Sequence, residues 1–142
     1  MASSPPTDAY VFDATSLIYF ERRKRLGRLR GSGVRLYVPD RVANEVDKPG
    51  YPLEKWLKAN RGLVTRMLPE EGRLYLRFLA QPETRLHDGE AAALAIACHR
   101  MAKVVTDDEA ARRKASSHGI SFLTTKEFIA QVLPRQLAML EP

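Results

Sequence analysis

The sequence predicts an α/β protein, a three-layer α/β/α sandwich with a central parallel sheet. Three observations predict it. Short apolar runs recur along the chain. Helical stretches separate them. Acidic residues stand just after the runs. Strand and helix in alternation put the strands parallel and cover both faces of the sheet.

The elements follow in order. AYVF is an apolar run ending at Asp13, so it reads as a buried strand. TSLIYFERRKRL follows as one helix, with Thr15 or Ser16 near its start and Gly27 just past its end. VRLYV is the second strand. Pro39 stands where a first helical turn begins, and DRVANEV is a short helix stopped by Pro49 and Gly50. LEKWLKA is helical, with Trp56 as packing. LVTRML fits strand or helix. EEGRLYLRFLA is a helix closed by Pro82. DGEAAALAIACHRMA is the clearest helix; it is apolar almost all round, hence central and buried, with Asp88 as its N-cap. KVVT is the third strand and DEAARRKASSH a helix with Gly119 as C-cap. ISFL is the fourth strand. TKEFIAQVL opens with Thr124 and Glu127 at capping-box spacing and carries Phe128, Ile129, Val132 and Leu133 on one face.

A chain of 142 residues suits one domain with one core. Residues 1–8, MASSPPTD, read as a disordered tail without the basic and apolar regions of a signal peptide, and 9–142 as a single domain. The apolar run AAALAIAC is far shorter than the ~20 residues of a membrane span. Its Cys98 is the one cysteine, which excludes an intramolecular disulfide and reads as a buried filler. A reduced, cytoplasmic setting is expected. Lys and Arg number 23 against 17 Asp and Glu, a net charge of +6 that points to a polyanionic partner.

In an open parallel sheet, ligands bind beyond the C-terminal ends of the strands. Asp13 ends the first strand and Asp107 and Asp108 the third. Glu45 lies in the helix after the second, and Glu90 in the first turn of the central helix. Singly, each has a structural or solvated explanation. Together on one rim they could not all stay ionised without a cation. Hard oxygen donors in this number suit Mg²⁺ or Mn²⁺. Other chemistries lack their residues. The histidines and Cys98 have no zinc spacing, there is no Walker, GxGxxG or GxSxG motif, and Thr15 replaces the second aspartate of a haloacid-dehalogenase loop.

With VFDATSLIYF, VPDRVANEV, LHDGEAAALAIA and VVTDDEAARRKASSHGI in this order, the chain resembles a PIN domain, the nuclease fold of VapC-type toxins, from about Tyr10 to Phe128. The resemblance implies a metal-dependent endoribonuclease. It matches the family's acids to Asp13, Glu45, Glu90, Asp107 and Asp108, with Asp88 as the fallback for the third. The GE followed by DD looks like one subgroup of the family. Asp13, Glu90 and Asp108 are the expected Mg²⁺ or Mn²⁺ ligands, and Thr15, Ser16 and Thr106 the hydroxyls that steady them. A homodimer and an inhibitory antitoxin protein are the partners it implies, beside the RNA substrate. Arg22, Arg23, Arg25 and their neighbours Lys24, Arg28 and Arg30 are available to phosphates, and Arg112, Arg113 and Lys114 are better placed beside the Asp pair. Two rival readings are a nucleic-acid-binding PIN-like domain without catalysis and a metal-dependent phosphohydrolase of small molecules.

Overall fold

The computed structural model describes residues 8–23, 25–31, 34–46, 52–81 and 86–133, with positions 30, 31 and 52 by backbone alone. The elements run β1 (Ala9–Phe12), α1 (Ala14–Arg22), α2 (Leu26–Gly31), β2 (Arg35–Pro39), α3 (Asp40–Val46), α4 (Pro52–Ala59), β3 (Val64–Thr65), α5 (Pro69–Ala80), α6 (Asp88–Arg100), β4 (Lys103–Val105), α7 (Glu109–Ser117), β5 (Phe122–Leu123) and α8 (Thr125–Gln131). The five strands form one parallel sheet in the order β3-β2-β1-β4-β5. The chain winds outward from β1 to β3, then crosses back to β4 on the other side of β1. The order therefore reverses between β1 and β4, which opens a crevice at their C-terminal ends.

Side chains alternate across the sheet with the strand period of two. Tyr10, Phe12, Leu36, Val38 and Val105 face one core with Leu17, Phe20, Leu29 and Phe128. Val11 and Val104 face the other, built from α5, α6 and α7. In the first core Phe128 meets Tyr10 and Phe12 edge to face, at 5.1 and 5.0 Å between ring centres. In the second, Ala91, Ala92, Ala93, Ala95 and Ala97 are buried along α6. Such small side chains let that helix lie close to the sheet and to α5.

Several expectations change. The first helix is two: α1 ends at Arg22, where Arg25 N–H reaches back to the Phe20 carbonyl (2.9 Å), and Gly27 lies inside α2. The turn buries Leu29, which is 1% exposed. LVTRML resolves as the short β3, pairing Val64 with Val38. Pro39 closes β2, and α3 starts at Asp40. Cys98 is exposed rather than a filler, because the last turn of α6 runs out beyond the packed layer. The tail to residue 7, Lys24, the Arg30 side chain, Pro49, Gly50, Pro82 and residues 134–142 lie outside the described residues. Among the described residues no helix is long and apolar enough to cross a membrane.

A buried ion pair fixes the C-terminal end of α6. Glu71, on α5, is fully buried and accepts from Arg100 Nε (2.7 Å), Arg100 Nη2 (3.0 Å) and the Leu68 N–H (2.8 Å). His99 Nδ1 lies 3.0 Å from it. Arg100 and these other donors hold its carboxyl below the usual range against the opposing effect of burial. Removing one partner of such a pair leaves a buried charge poorly compensated. Arg100→Ala should therefore destabilise the protein by about 3 kcal/mol, the low end for a broken buried pair because the Leu68 and His99 contacts remain. Added to Glu71→Gln, the same change should cost clearly less. Additive losses in urea unfolding would rule out the coupling.

Candidate active site at the sheet switch point

Asp13 and Thr106 stand side by side, because Phe12 pairs with Val105 in the sheet register. Asp13 is 3% exposed and caps α1. Its Oδ1 accepts from the Thr15 hydroxyl (3.0 Å) and the Ser16 N–H (2.9 Å), and its Oδ2 from the Thr106 hydroxyl (2.6 Å). Thr106 Oγ1 in turn accepts from the Asp108 N–H (3.1 Å). The Ser16 hydroxyl donates to the Val105 carbonyl (2.9 Å). The three hydroxyl residues singled out in the sequence thus surround Asp13. Burial pushes its carboxyl above the usual range, and the Thr106 and Ser16 hydrogen bonds oppose that shift.

Glu90 joins this group. Burial first, then the negative charge of Asp108 and, further down, that of Asp13 push its carboxyl up to about 7, against the His87 N–H that it accepts at 3.4 Å. Asp88, the fallback for the third acid, turns elsewhere. It accepts from the Tyr75 hydroxyl and lies 3.8 Å from Arg41 Nη1. It is also the first residue of α6 and not its N-cap, a position taken by His87.

The Asp pair divides its work. Asp108 caps α7 by accepting from the Ala111 N–H (2.8 Å), and its charge contributes to raising the Glu90 carboxyl. Asp107 is exposed and accepts from both the N–H (2.9 Å) and the hydroxyl (2.7 Å) of Thr125, at the start of α8. Thr125 is fully buried and also lies 3.0 Å from Ser16 Oγ. No sequence signal marked it, because Thr124 beside it satisfies the capping pattern. Glu45, an exposed residue, bonds the Gly89 N–H at 3.0 Å. A Cβ on Gly89 would sit 2.5 Å from that carboxylate oxygen and 3.0 Å from Val42 Cγ2, so only glycine admits Glu45 this close. The G of the DGE stretch was the available clue.

The cationic candidates separate by distance. Arg22, Arg23 and Arg25 lie a full helix beyond Asp13, about 13 Å along α1, at the opposite edge of the sheet. Arg23 stacks on Tyr19 at 3.5 Å. On α7, Arg113 is exposed and Arg112 half-buried, with its Nε lacking a partner. Lys114 is engaged, donating to Gln81 Oε1.

Among the described residues, no three His, Cys, Asp or Glu side chains stand close enough, as arranged, to hold a metal ion. The donor chemistry nonetheless fits one. Asp13, Glu90 and Asp108 offer hard carboxylate oxygens, and burial together with the charges of Asp108 and Asp13 raises the cost of ionising Glu90 in the absence of a cation.

That shift has a signed consequence. An acid whose folded pKa is raised binds its proton more tightly when folded, so the folded state gains at low pH. In metal-free protein, stability contributed through Glu90 should be full below its unfolded value of 4.5, fall as pH rises through about 7, and level off above. Asp13, also raised, acts in the same direction. The ion-paired Glu71 acts in the opposite direction, so the comparison is between wild type and Glu90→Gln. The variant should gain stability relative to wild type between pH 4.5 and 8, read by urea unfolding in EDTA. A constant difference across that range would contradict the raised pKa of Glu90.

The comparisons agree with this architecture. The fold is similar to that of FitAcB from Neisseria gonorrhoeae, at a TM-score of 0.58 and 11% identity over 82% of this chain and 98% of that one. It is also similar to VapBC2 from Rickettsia felis, bound to a DNA fragment from their promoter, at a TM-score of 0.54 and 10% identity over 82% and 98%. None of the curated proteins is significantly similar in sequence. Residues 9–137 match DUF3368, a PIN domain family. A match over nearly the whole chain, on a parallel sheet with its acids at the switch point, makes this chain a member of the PIN domain family.

Proposed function

We propose that this PIN domain is a metal-dependent endoribonuclease, with Asp13, Glu90 and Asp108 as ligands of Mg²⁺ or Mn²⁺. The observation that carries the reading is the gathering of Asp13 and Asp108, joined through Thr106, with Glu90 of the first turn of α6 at the C-terminal ends of β1 and β4. PIN domains are generally nucleases, which supports the reaction class. An acid-lined rim also disfavours a binder without catalysis, since carboxylates repel phosphates. The resemblance to VapC-type toxins brings an inhibitory antitoxin and a homodimer into the proposal, and a cytoplasmic setting with them.

The residues divide the work. A bound divalent ion would polarise the phosphate and lower the pKa of water. Asp13, locked by Thr15, Ser16 and Thr106, supplies a carboxylate that does not reorient. With the ion bound Glu90 would be ionised; it orients the attacking water, whose proton passes to solvent. Water oxygen bonds to phosphorus, the P–O bond to the leaving nucleoside breaks, and the leaving oxygen takes a proton from solvent. Glu45 and Asp107 act through water or through the helix starts they hold.

Cleavage of single-stranded RNA should require Mg²⁺ or Mn²⁺ and stop in EDTA. Asp13→Asn and Glu90→Gln should each slow it by at least ~100-fold, whereas Asp88→Asn should be mild. A generic phosphatase substrate, run beside the RNA, should be spared. Full activity in Asp13→Asn, or a reversed ranking of Glu90 and Asp88, would refute the assignment.

A second prediction needs no turnover. Mn²⁺ at a hundred times its dissociation constant should stabilise the folded protein by about 2.7 kcal/mol and raise Tm. Asp108→Asn keeps the α7 cap, since Asn caps as well as Asp. It should leave the metal-free protein as stable or more so, and shrink the Mn²⁺ shift. Equal shifts in both proteins would remove Asp108 from the ligand set.

A further inference from the structure

Beside the acids, on the β2–β3 side of the same sheet edge, lies an open groove of about 630 Å³. Its walls come from the start of α3, the segment after β3 and the first half of α5. Arg41, Arg66 and Arg73 line it, against the single carboxylate of Asp40. Arg41 lies 5.6 Å from the Tyr75 ring centre and 3.8 Å from Asp88. Arg73 has only a long, exposed contact to Glu70, at 3.9 Å. Arg66 is exposed and its side chain has no carboxylate partner among the described residues. Between the arginines the floor is apolar, with Leu68 45% and Leu76 62% exposed. None of these residues stood out in the sequence, where the arginines are scattered singly.

We propose that this groove binds the single-stranded polynucleotide flanking the scissile phosphate, with Arg41, Arg66 and Arg73 on its phosphates and bases against Met67, Leu68 and Leu76. The inference deepens the nuclease reading and rests on it for the direction of the strand. Two observations favour this occupant. The first is charge: Arg66 has no carboxylate partner among the described residues, and Arg41 and Arg73 meet Asp88 and Glu70 only in long, exposed pairs that phosphates can replace, beside the exposed apolar surface of Leu68 and Leu76. The second is continuity: Arg41, in the groove, and Glu45 lie about one turn apart on α3 and both meet the first turn of α6, at Asp88 and at the Gly89 N–H, and that turn carries Glu90. By contrast, Arg22, Arg23 and Arg25 lie at the far edge of the sheet.

The test measures binding without cleavage. The full chain, in EDTA, is titrated into fluorescent 12-nucleotide single strands of RNA and of DNA with the same sequence, at several salt concentrations. Arg66→Gln with Arg73→Gln changes two exposed residues, and a thermal melt verifies that the double variant folds. At about 0.7 units of slope per phosphate on a single strand, losing two contacts should lower the salt slope by about 1.4 and weaken binding about 25-fold at 0.1 M salt relative to 1 M. Oligonucleotides carrying 4-thiouridine or 4-thiothymidine should crosslink within residues 66–76. Preference for one strand type identifies which polynucleotide the groove takes. Wild-type affinity and slope in the variant, with crosslinks only on α7, would overturn the proposal. So would absence of binding by the wild type, or unchanged oligonucleotide affinity with a changed oligomeric mass, which would make the groove a protein interface. The two readings fail separately: cleavage with Mn²⁺ and an intact variant slope rejects the groove alone, and groove binding without cleavage rejects the catalytic reading alone.

Discussion

A carboxylate buried at the end of a strand organises this molecule. Asp13 sits in the crevice between β1 and β4, where a charge is costly unless donors meet it. Thr15 and Ser16 come from α1 and Thr106 from the end of β4. The bonds to Asp13 therefore set the start of α1 and join the two central strands beyond their last ladder contact. Thr106 passes the constraint on by accepting from the Asp108 N–H, and Asp108 starts α7. Ser16, beside Thr125, lies next to the Asp107 contact that starts α8. Three helix starts are thereby referred to one buried acid.

The same arrangement concentrates like charge, which opposes folding in the absence of a counter-charge. The central helix is where that cost and its compensation meet. At its N-terminal end Glu90 faces Asp13 and Asp108, while Glu45 docks on the Gly89 N–H. At its C-terminal end Arg100 and His99 hold the buried Glu71 of α5. Arg100 also packs over Tyr37, 5.0 Å from the ring centre. The helix is pinned by satisfied charge at one end so that unsatisfied charge can be held in position at the other. Function carrying a local stability cost, offset elsewhere in the fold, is a common arrangement.

The differences between sequence and structure have local causes. One amphipathic pattern ran from Thr15 to Leu26, yet the chain breaks after Arg22, because a straight continuation would carry Leu29 away from the core. The two residues of β3 are too few to show a period of two, and only pairing with β2 makes them a strand. Cys98 shares its apolar run with seven buried neighbours, and its exposure depends on where the packed layer ends. Asp88 and Glu90 are two residues apart on a helix and so diverge. Which of them turns to the acids follows from how α6 is rotated against α3 and the sheet.

The sequence by itself determined the alternation of strands and helices, the parallel sheet, the gathering of acids at the strand ends and the hydroxyls beside Asp13. These are local: period, capping spacing and turn residues act within a few positions. Tertiary structure alone decided which acids share one field, that Asp107 serves α8 while Asp108 faces Glu90, that Glu71 finds Arg100, and that Arg41, Arg66 and Arg73 line one groove. Each of these joins residues brought together by strand order and helix rotation, which no spacing along the chain encodes.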